Sequence, residues 1–201
     1  MSFFFRTFRV TNKRDPMKAE RKVILFIAMS LDGYIAKPND DISFLSMVDQ
    51  EDEDYGYKDF IATVDAVIMG RRTYDKVLSM GFDFPHSHVD AYIVTRTHRP
   101  TIGTIKFYTG SLQELVAKLK SQPGKNIFVD GGALVVNELL KDNLIDEFII
   151  SIIPTLLGDG ISLFKGGCPE APLKLISSTQ FDRGLVQLHY IRNNERWHEK
   201  E

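Results

Sequence analysis

Apolar residues along this chain fall into two kinds of run. Val23-Ile24-Leu25-Phe26-Ile27-Ala28-Met29, Ala66-Val67-Ile68-Met69, Ala91-Tyr92-Ile93-Val94 and Ile127-Phe128-Val129 are unbroken. Short continuous runs of this kind suit strands covered on both faces, as in a parallel sheet. Ile105-Lys106-Phe107-Tyr108 reads as a further short strand. Between the strands the apolar positions take helical spacing. Tyr57, Phe60, Ile61 and Val64 follow the acidic cluster Asp49 to Asp54, which predicts a helix with acid in its first turn, where the dipole favours it. Thr73 to Leu78 opens a second helix after Gly70. Ser111-Leu112-Gln113-Glu114 is a capping box, so a third helix starts at about Leu112, and Pro123-Gly124 ends it. Ala133 to Leu140 is the fourth. The pattern then changes. Glu147 to Ile153, Leu173 to Thr179 and Leu185 to Arg192 read as strands with no room for helices between them. The expectation is an α/β protein: a mixed, mainly parallel sheet, helices on both faces, and an antiparallel C-terminal extension.

Composition narrows what such a fold can do. A chain of 201 residues, 43% hydrophobic and 26% charged, fits one domain with a sizeable core. The domain is read as residues 21–192. Residues 1–20 are read as an extension, Phe-rich and basic at first, with a second methionine, Met17, just before the first strand. Residues 193–201 are read as a polar tail. A net charge of −2 gives no field for gathering nucleic acid. No apolar run approaches the roughly 18 residues of a membrane span. Cys168 is the single cysteine, so neither an intramolecular disulfide nor a multi-cysteine zinc motif can form. The expectation is a cytoplasmic protein without a metal.

The candidate chemistry sits at strand ends. Asp130-Gly131-Gly132 leaves an apolar run and opens a helix. Glycines allow close backbone approach, and free N–H groups at a helix start attract phosphate. Alone, the turn reads equally well as a structural connection. Val67-Ile68-Met69-Gly70-Arg71-Arg72-Thr73-Tyr74 repeats the arrangement with two guanidiniums and a hydroxyl, and Arg binds phosphate bidentately. Val94-Thr95-Arg96-Thr97 ends a third strand. In a parallel sheet all three ends face the carboxyl edge, where ligands bind. The sequence has neither a G-x-G-x-x-G fingerprint nor a P-loop.

Together with Met29-Ser30-Leu31-Asp32-Gly33-Tyr34-Ile35-Ala36 and Phe128-Val129-Asp130-Gly131-Gly132, these segments resemble the dihydrofolate reductase-like superfamily. Ile145-Asp146-Glu147-Phe148 and Pro154-Thr155-Leu156-Leu157-Gly158-Asp159-Gly160 resemble its riboflavin-biosynthesis reductase branch, over about Arg21 to Arg192. The resemblance implies a three-layer fold, NADPH as cofactor, a homodimer, and hydride transfer to a small heterocyclic or carbonyl substrate such as 5-amino-6-(5-phosphoribosylamino)uracil. It implies Gly70, Arg71, Arg72 and Thr73 against the adenosine phosphates, with Arg71 on the 2′-phosphate and Thr95 and Arg96 on the same side. It implies Gly131, Gly132, Ala133 and Leu134 along the pyrophosphate, a cis peptide between the two glycines, and Ala28 to Ile35 beside the nicotinamide. Asp32 and Asp130 are the implied acids of the substrate pocket. Against these roles stand an ordinary Asp-Gly turn for Asp32 and a helix N-cap for Asp130.

Two departures limit the resemblance. Dihydrofolate reductases carry a pterin-binding acid on their first helix, whereas here Asp52, Asp54 and Asp59 give no clean match. Folate or pteridine reduction is therefore the alternative reading, and a non-catalytic nucleotide-binding protein is another. The bifunctional riboflavin enzymes also carry a zinc deaminase with H-x-E and P-C-x-x-C, which this sequence lacks. Three lesser signals remain. His86-Ser87-His88 reads as a surface loop, Cys168 as a loop residue without an adjacent base, and Trp197 as an interface anchor or an idle tail residue.

Overall fold

In the computed structural model, residues 20–81 and 83–193 are described. Most of the N-terminal extension, and the tail from residue 194 with Trp197, lie outside the described residues. The unbroken apolar runs all become strands, β1 (Val23–Ser30), β3 (Val64–Gly70), β4 (Asp90–Val94) and β6 (Asn126–Gly131), and so does the further short run, β5 (Ile105–Tyr108). The late runs form β7 (Glu147–Ile153), β9 (Leu173–Gln180) and β10 (Val186–Arg192). Two short strands carry no pattern of their own: β2 (Tyr34–Ala36) and β8 (Ile161–Ser162), which pair antiparallel as a separate ribbon. The helices are α1 (Tyr57–Ala62), α2 (Arg71–Ser79), α3 (Leu112–Ser121) and α4 (Ala133–Lys141).

The eight main strands run β5-β4-β3-β6-β1-β7-β10-β9. Pairing is parallel from β5 through β7, and antiparallel from β7 to β10 and from β10 to β9. This is the expected mixed, mainly parallel sheet with an antiparallel extension. Successive strand residues point to opposite faces, and both faces are covered in the middle of the sheet. Val23, Leu25, Ala66, Ile68, Ile127 and Val129 share one core with Leu115, Val116 and Leu119 of α3 and Val136 and Leu139 of α4. Ile24, Val67 and Phe128 pack with Phe60 of α1 on the other face, and Met69 and Ile93 with Tyr74 of α2 and Phe84. At the far end, every residue of β9 is exposed and β10 buries none completely. No described helix is long and apolar enough to cross a membrane.

One helix start differs from expectation. α1 begins at Tyr57, so the Asp49–Asp54 cluster precedes the helix, and Asp59 is the only acid in its first turn. The backbone supplies the reason. Asp52, Tyr55 and Gly56 all have positive φ, at 61°, 55° and 78°, a conformation that a right-handed helix cannot continue. Asp54 instead leads into the helix, its carboxylate accepting from Gly56 N at 3.1 Å and Lys58 N at 2.9 Å.

Candidate active site

The parallel strands β4, β3, β6 and β1 are neighbours, so their carboxyl ends lie in a row. Thr95 and Arg96 follow β4. Gly70 closes β3, with Arg71, Arg72 and Thr73 in the first turn of α2. Asp130 and Gly131 end β6, and Gly132 and Ala133 open α4. The glycine turns touch each other. A Cβ built on Gly70 would lie 3.3 Å from Val135 Cγ2 and 3.5 Å from Gly132 N, and one on Gly132 only 2.9 Å from Thr73 Oγ1. Gly131 holds φ at +107°, and the Gly131–Gly132 peptide is cis. Neither α2 nor α4 has a side-chain cap, whereas Ser111 Oγ caps α3 by accepting from Glu114 N at 3.1 Å. Two uncapped helix starts with bare backbone between them suit a diphosphate. The cradle therefore fits the group that the sequence implied.

The arginines are held at its rim. Arg71 Nη1 donates to Asp75 Oδ2 at 2.6 Å. The other Asp75 oxygen lies 4.0 Å from Arg99 Nη1, and the Arg99 guanidinium sits 5.4 Å from the centre of the Phe107 ring. Arg99 therefore joins Arg71 at this corner. The sequence reading missed it, because it lies five residues beyond β4 with no motif around it. Arg72 is exposed and pairs with Asp40 at 3.1 Å. Thr95 is buried, its Oγ1 accepting from Thr97 N at 3.2 Å, while Arg96 is exposed. Ala133 is buried, and Leu134 beside it is 67% exposed. Ala28 packs with the Phe44 and Leu185 cluster and Ile35 with the main core.

The two candidate acids differ sharply. Asp32 accepts from Ser30 Oγ at 2.5 Å, from Leu157 N at 3.1 Å and from Gly158 N at 2.7 Å. The Ser30 hydroxyl above all, with these amides, holds its carboxyl below the ordinary aspartate value. Both Asp32 carboxylate oxygens are engaged in these bonds. The bonds tie the loop after β7 to the end of β1, where Leu31 N also donates to Thr155 O at 2.9 Å. In this structure Asp32 is therefore engaged in fastening that loop.

Asp130 does not cap α4, since Gly132 holds that position. Its carboxylate faces His86, with Nε2 3.2 Å from Oδ2. His86 is 2% exposed, which corrects the reading of His86-Ser87-His88 as a surface loop; only Ser87 and His88 are exposed. The rings of Phe84 and Phe128 meet His86 edge-on, with centroids 5.4 Å and 5.6 Å away. Tyr57 of α1 lies on the same side of the sheet, packed against Phe26, Phe60 and Phe128. Burial, with the charge of Asp130, pushes its phenol up to about 12. A carboxylate, a buried imidazole and a protonated phenol thus stand beside the glycine cradle. A separate depression of about 440 Å³ lies at the opposite, amino edge, lined in part by Ile61, Val64, His88 and Lys125.

Known proteins share this arrangement of chain. The uncharacterized protein YwjB of Bacillus subtilis (strain 168) is 42% identical over 174 residues, covering 86% of this chain and 99% of its own. A crystal structure from Shewanella sp. PV-4, whose name assigns it provisionally to riboflavin biosynthesis, is 32% identical, with a TM-score of 0.79 over 86% of this chain and 99% of that one. Two more distant structures share the fold. One is the diaminohydroxyphosphoribosylaminopyrimidine deaminase/5-amino-6-(5-phosphoribosylamino)uracil reductase of Thermotoga maritima, with a TM-score of 0.64 at 18% identity, over 87% of this chain and 57% of that one. The other is the dihydrofolate reductase of Enterococcus faecalis complexed with NADP(H) and RAB-propyl, with a TM-score of 0.59 at 14% identity, over 87% and 98%. The RibD C-terminal domain model matches residues 21–187, and the chain belongs to that family.

Proposed function

We propose that this protein is an NADPH-dependent reductase that delivers hydride to a small heterocyclic or carbonyl substrate. The observation that carries the reading is the contact between the Gly70 and Gly131–Gly132 turns, each opening an uncapped helix beside Arg71. Gly131, Gly132, Ala133 and Leu134 would hold the pyrophosphate with backbone amides. Gly70, Arg72 and Thr73 would bind the adenosine phosphates, with Thr95 and Arg96 alongside. Arg71 would take the 2′-phosphate, exchanging its bond to Asp75 for a dianion. Ala28 and Ile35 would border the nicotinamide. NADPH, when bound, supplies the hydride. The chain itself orients, excludes water and presents Asp130 to the substrate heteroatom, while Asp32 fastens the loop that borders the site. The first substrate to test is 5-amino-6-(5-phosphoribosylamino)uracil, named for the Thermotoga maritima relative. Pteridine reduction draws less support, because Asp59 is the one acid on α1 and it is exposed.

A second copy of the chain is the proposed partner. It would cover the exposed β9 edge, where Leu173, Leu175 and Ile176 face solvent. The free Cys168 fits a cytoplasmic setting.

The test is cofactor discrimination. Arg71→Ala should weaken NADPH by about 10- to 100-fold, the worth of a charge-assisted contact, and leave NADH nearly unchanged, since only NADPH carries the 2′-phosphate. Equal weakening of both cofactors would remove Arg71 from that role. NADPH oxidation across a panel of heterocycles then tests turnover. Tight NADPH binding without oxidation of any of them would make the chain a nucleotide-binding protein rather than an enzyme.

A further inference from the structure

His86 is the most deeply buried titratable group near the carboxyl edge, and the reductase reading gives it no task. Its Nε2 faces Asp130 Oδ2. Its Nδ1 is buried and has no hydrogen-bond partner among the described residues. An aspartate carboxylate only accepts, so Nε2 must carry the hydrogen. A hydrogen on Nδ1 would be a buried donor with no acceptor, caged by the Phe84 and Phe128 rings. The imidazole is therefore oriented by one bond alone, and that bond leads to the mouth of the site.

Asp130 completes the argument. His86 is its only protein hydrogen-bond partner among the described residues, which leaves Oδ1 free. The side chain is 26% exposed, at the step from β6 into the glycine turn. Tyr57 borders it from α1 and apolar rings lie beneath it. A carboxylate pinned at one oxygen and open at the other presents a fixed acceptor. What it takes must bring an N–H, NH₂ or O–H donor.

We propose that His86 is the positioning residue of this site: its Nε2–H pins one oxygen of Asp130 so that the other accepts a donor from an amino-substituted heterocycle. This rests on the reductase reading for the substrate's later fate, not for the bond itself. The bond crosses 44 residues of sequence. It joins the loop before β4 to the end of β6, so the acceptor keeps its aim when no ligand is present.

The test uses the full chain with ¹⁵N-labelled histidine and 5,6-diaminouracil as the probe. Ring nitrogen shifts should report hydrogen on Nε2 and none on Nδ1. His86→Phe keeps the ring and its aromatic contacts but removes the donor, and should weaken diaminouracil by about 10- to 100-fold. His86→Gln restores an N–H and should recover most of that loss, which a purely packing role for the ring would not allow. NADPH affinity, read on the same samples, should stay unchanged in both variants. Hydrogen on Nδ1, or diaminouracil binding to His86→Phe as to the wild type, overturns the proposal. So does a wild type, labelled in addition with ¹³C-aspartate, whose Asp130 carboxyl signal ignores the probe. Loss of NADPH binding by the wild type would break the reductase reading and leave the His86 assignment standing.

Discussion

Asn137 gives the sharpest test of how the site is supported from behind. It is a buried polar residue in the middle of α4. Its Nδ2 donates to Ala133 O at 2.6 Å and to Leu163 O at 2.7 Å, and its Oδ1 accepts from Lys165 N at 2.8 Å. One amide thus fastens the segment after β8 to the helix that opens at the glycine cradle. That segment backs the site in turn, because Leu163 N donates to Gly33 O at 2.8 Å and Ser162 pairs with Tyr34. Asn137→Ala orphans the carbonyl of Leu163, a fully buried residue. It also frees Lys165 N, which belongs to an exposed residue that water can reach. A buried unpaired carbonyl costs about 1–3 kcal/mol and the lost second bond about 1 kcal/mol, so the variant should lose roughly 2–4 kcal/mol. For a chain of this size, 3 kcal/mol lowers Tm by roughly 6–12 °C.

The companion substitutions identify the cause. Asn137→Leu keeps the volume and removes the same bonds, so it should fall as far as the alanine variant. Asn137→Asp keeps the acceptor for Lys165 N but turns a carboxylate oxygen toward the Ala133 and Leu163 carbonyls. It should be worst at neutral pH and recover in acid, as protonation returns a donor. Urea unfolding followed by circular dichroism measures all three. If Asn137→Leu stays within about 0.5 kcal/mol of the wild type, the bonds do not hold the loop and the reasoning fails.

Two further outcomes follow from the same geometry. The folded-state value of Asp32 is lowered, by the Ser30 hydroxyl most of all. Its contribution is therefore present above the ordinary aspartate value and lost as pH falls through the depressed one. Asp32→Asn should be less stable than the wild type near neutrality, with the gap in Tm closing toward strongly acid pH; a gap unchanged across that range would show that the Ser30, Leu157 and Gly158 bonds carry no weight. At the sheet edge, Leu175 is 48% exposed on β9, and Leu175→Lys should shift sedimentation from dimer to monomer while leaving NADPH affinity intact. An unchanged sedimentation profile would refute the proposed interface on this edge.

How much of this was legible follows from the range of each interaction. The strands of the parallel core announce themselves because both faces are buried, so Val67 and Ile68 must both be apolar even though they point opposite ways. The glycine turns are legible for a local reason as well, since Gly70 and Gly132 stand where backbone meets backbone. Their contact is not local. It follows from β3 lying beside β6, an order that no single segment encodes. β2 and β8 escape a pattern search because three residues and two residues are too few to show a period. The start of α1 differs because the acidic run carries left-handed turns at Asp52 and Tyr55, which are not glycines, and Gly56 alone marks where the helix begins. His86 is the clearest case. In sequence it is a polar residue between Pro85 and Ser87. Its burial is imposed by Phe84 beside it and by Phe128 from another strand, and its partner lies 44 residues away. A buried polar group is informative only once its surroundings are known, because the same side chain on a solvated loop would need no partner at all. The carboxylate was legible as a candidate, and the group that aims it was not.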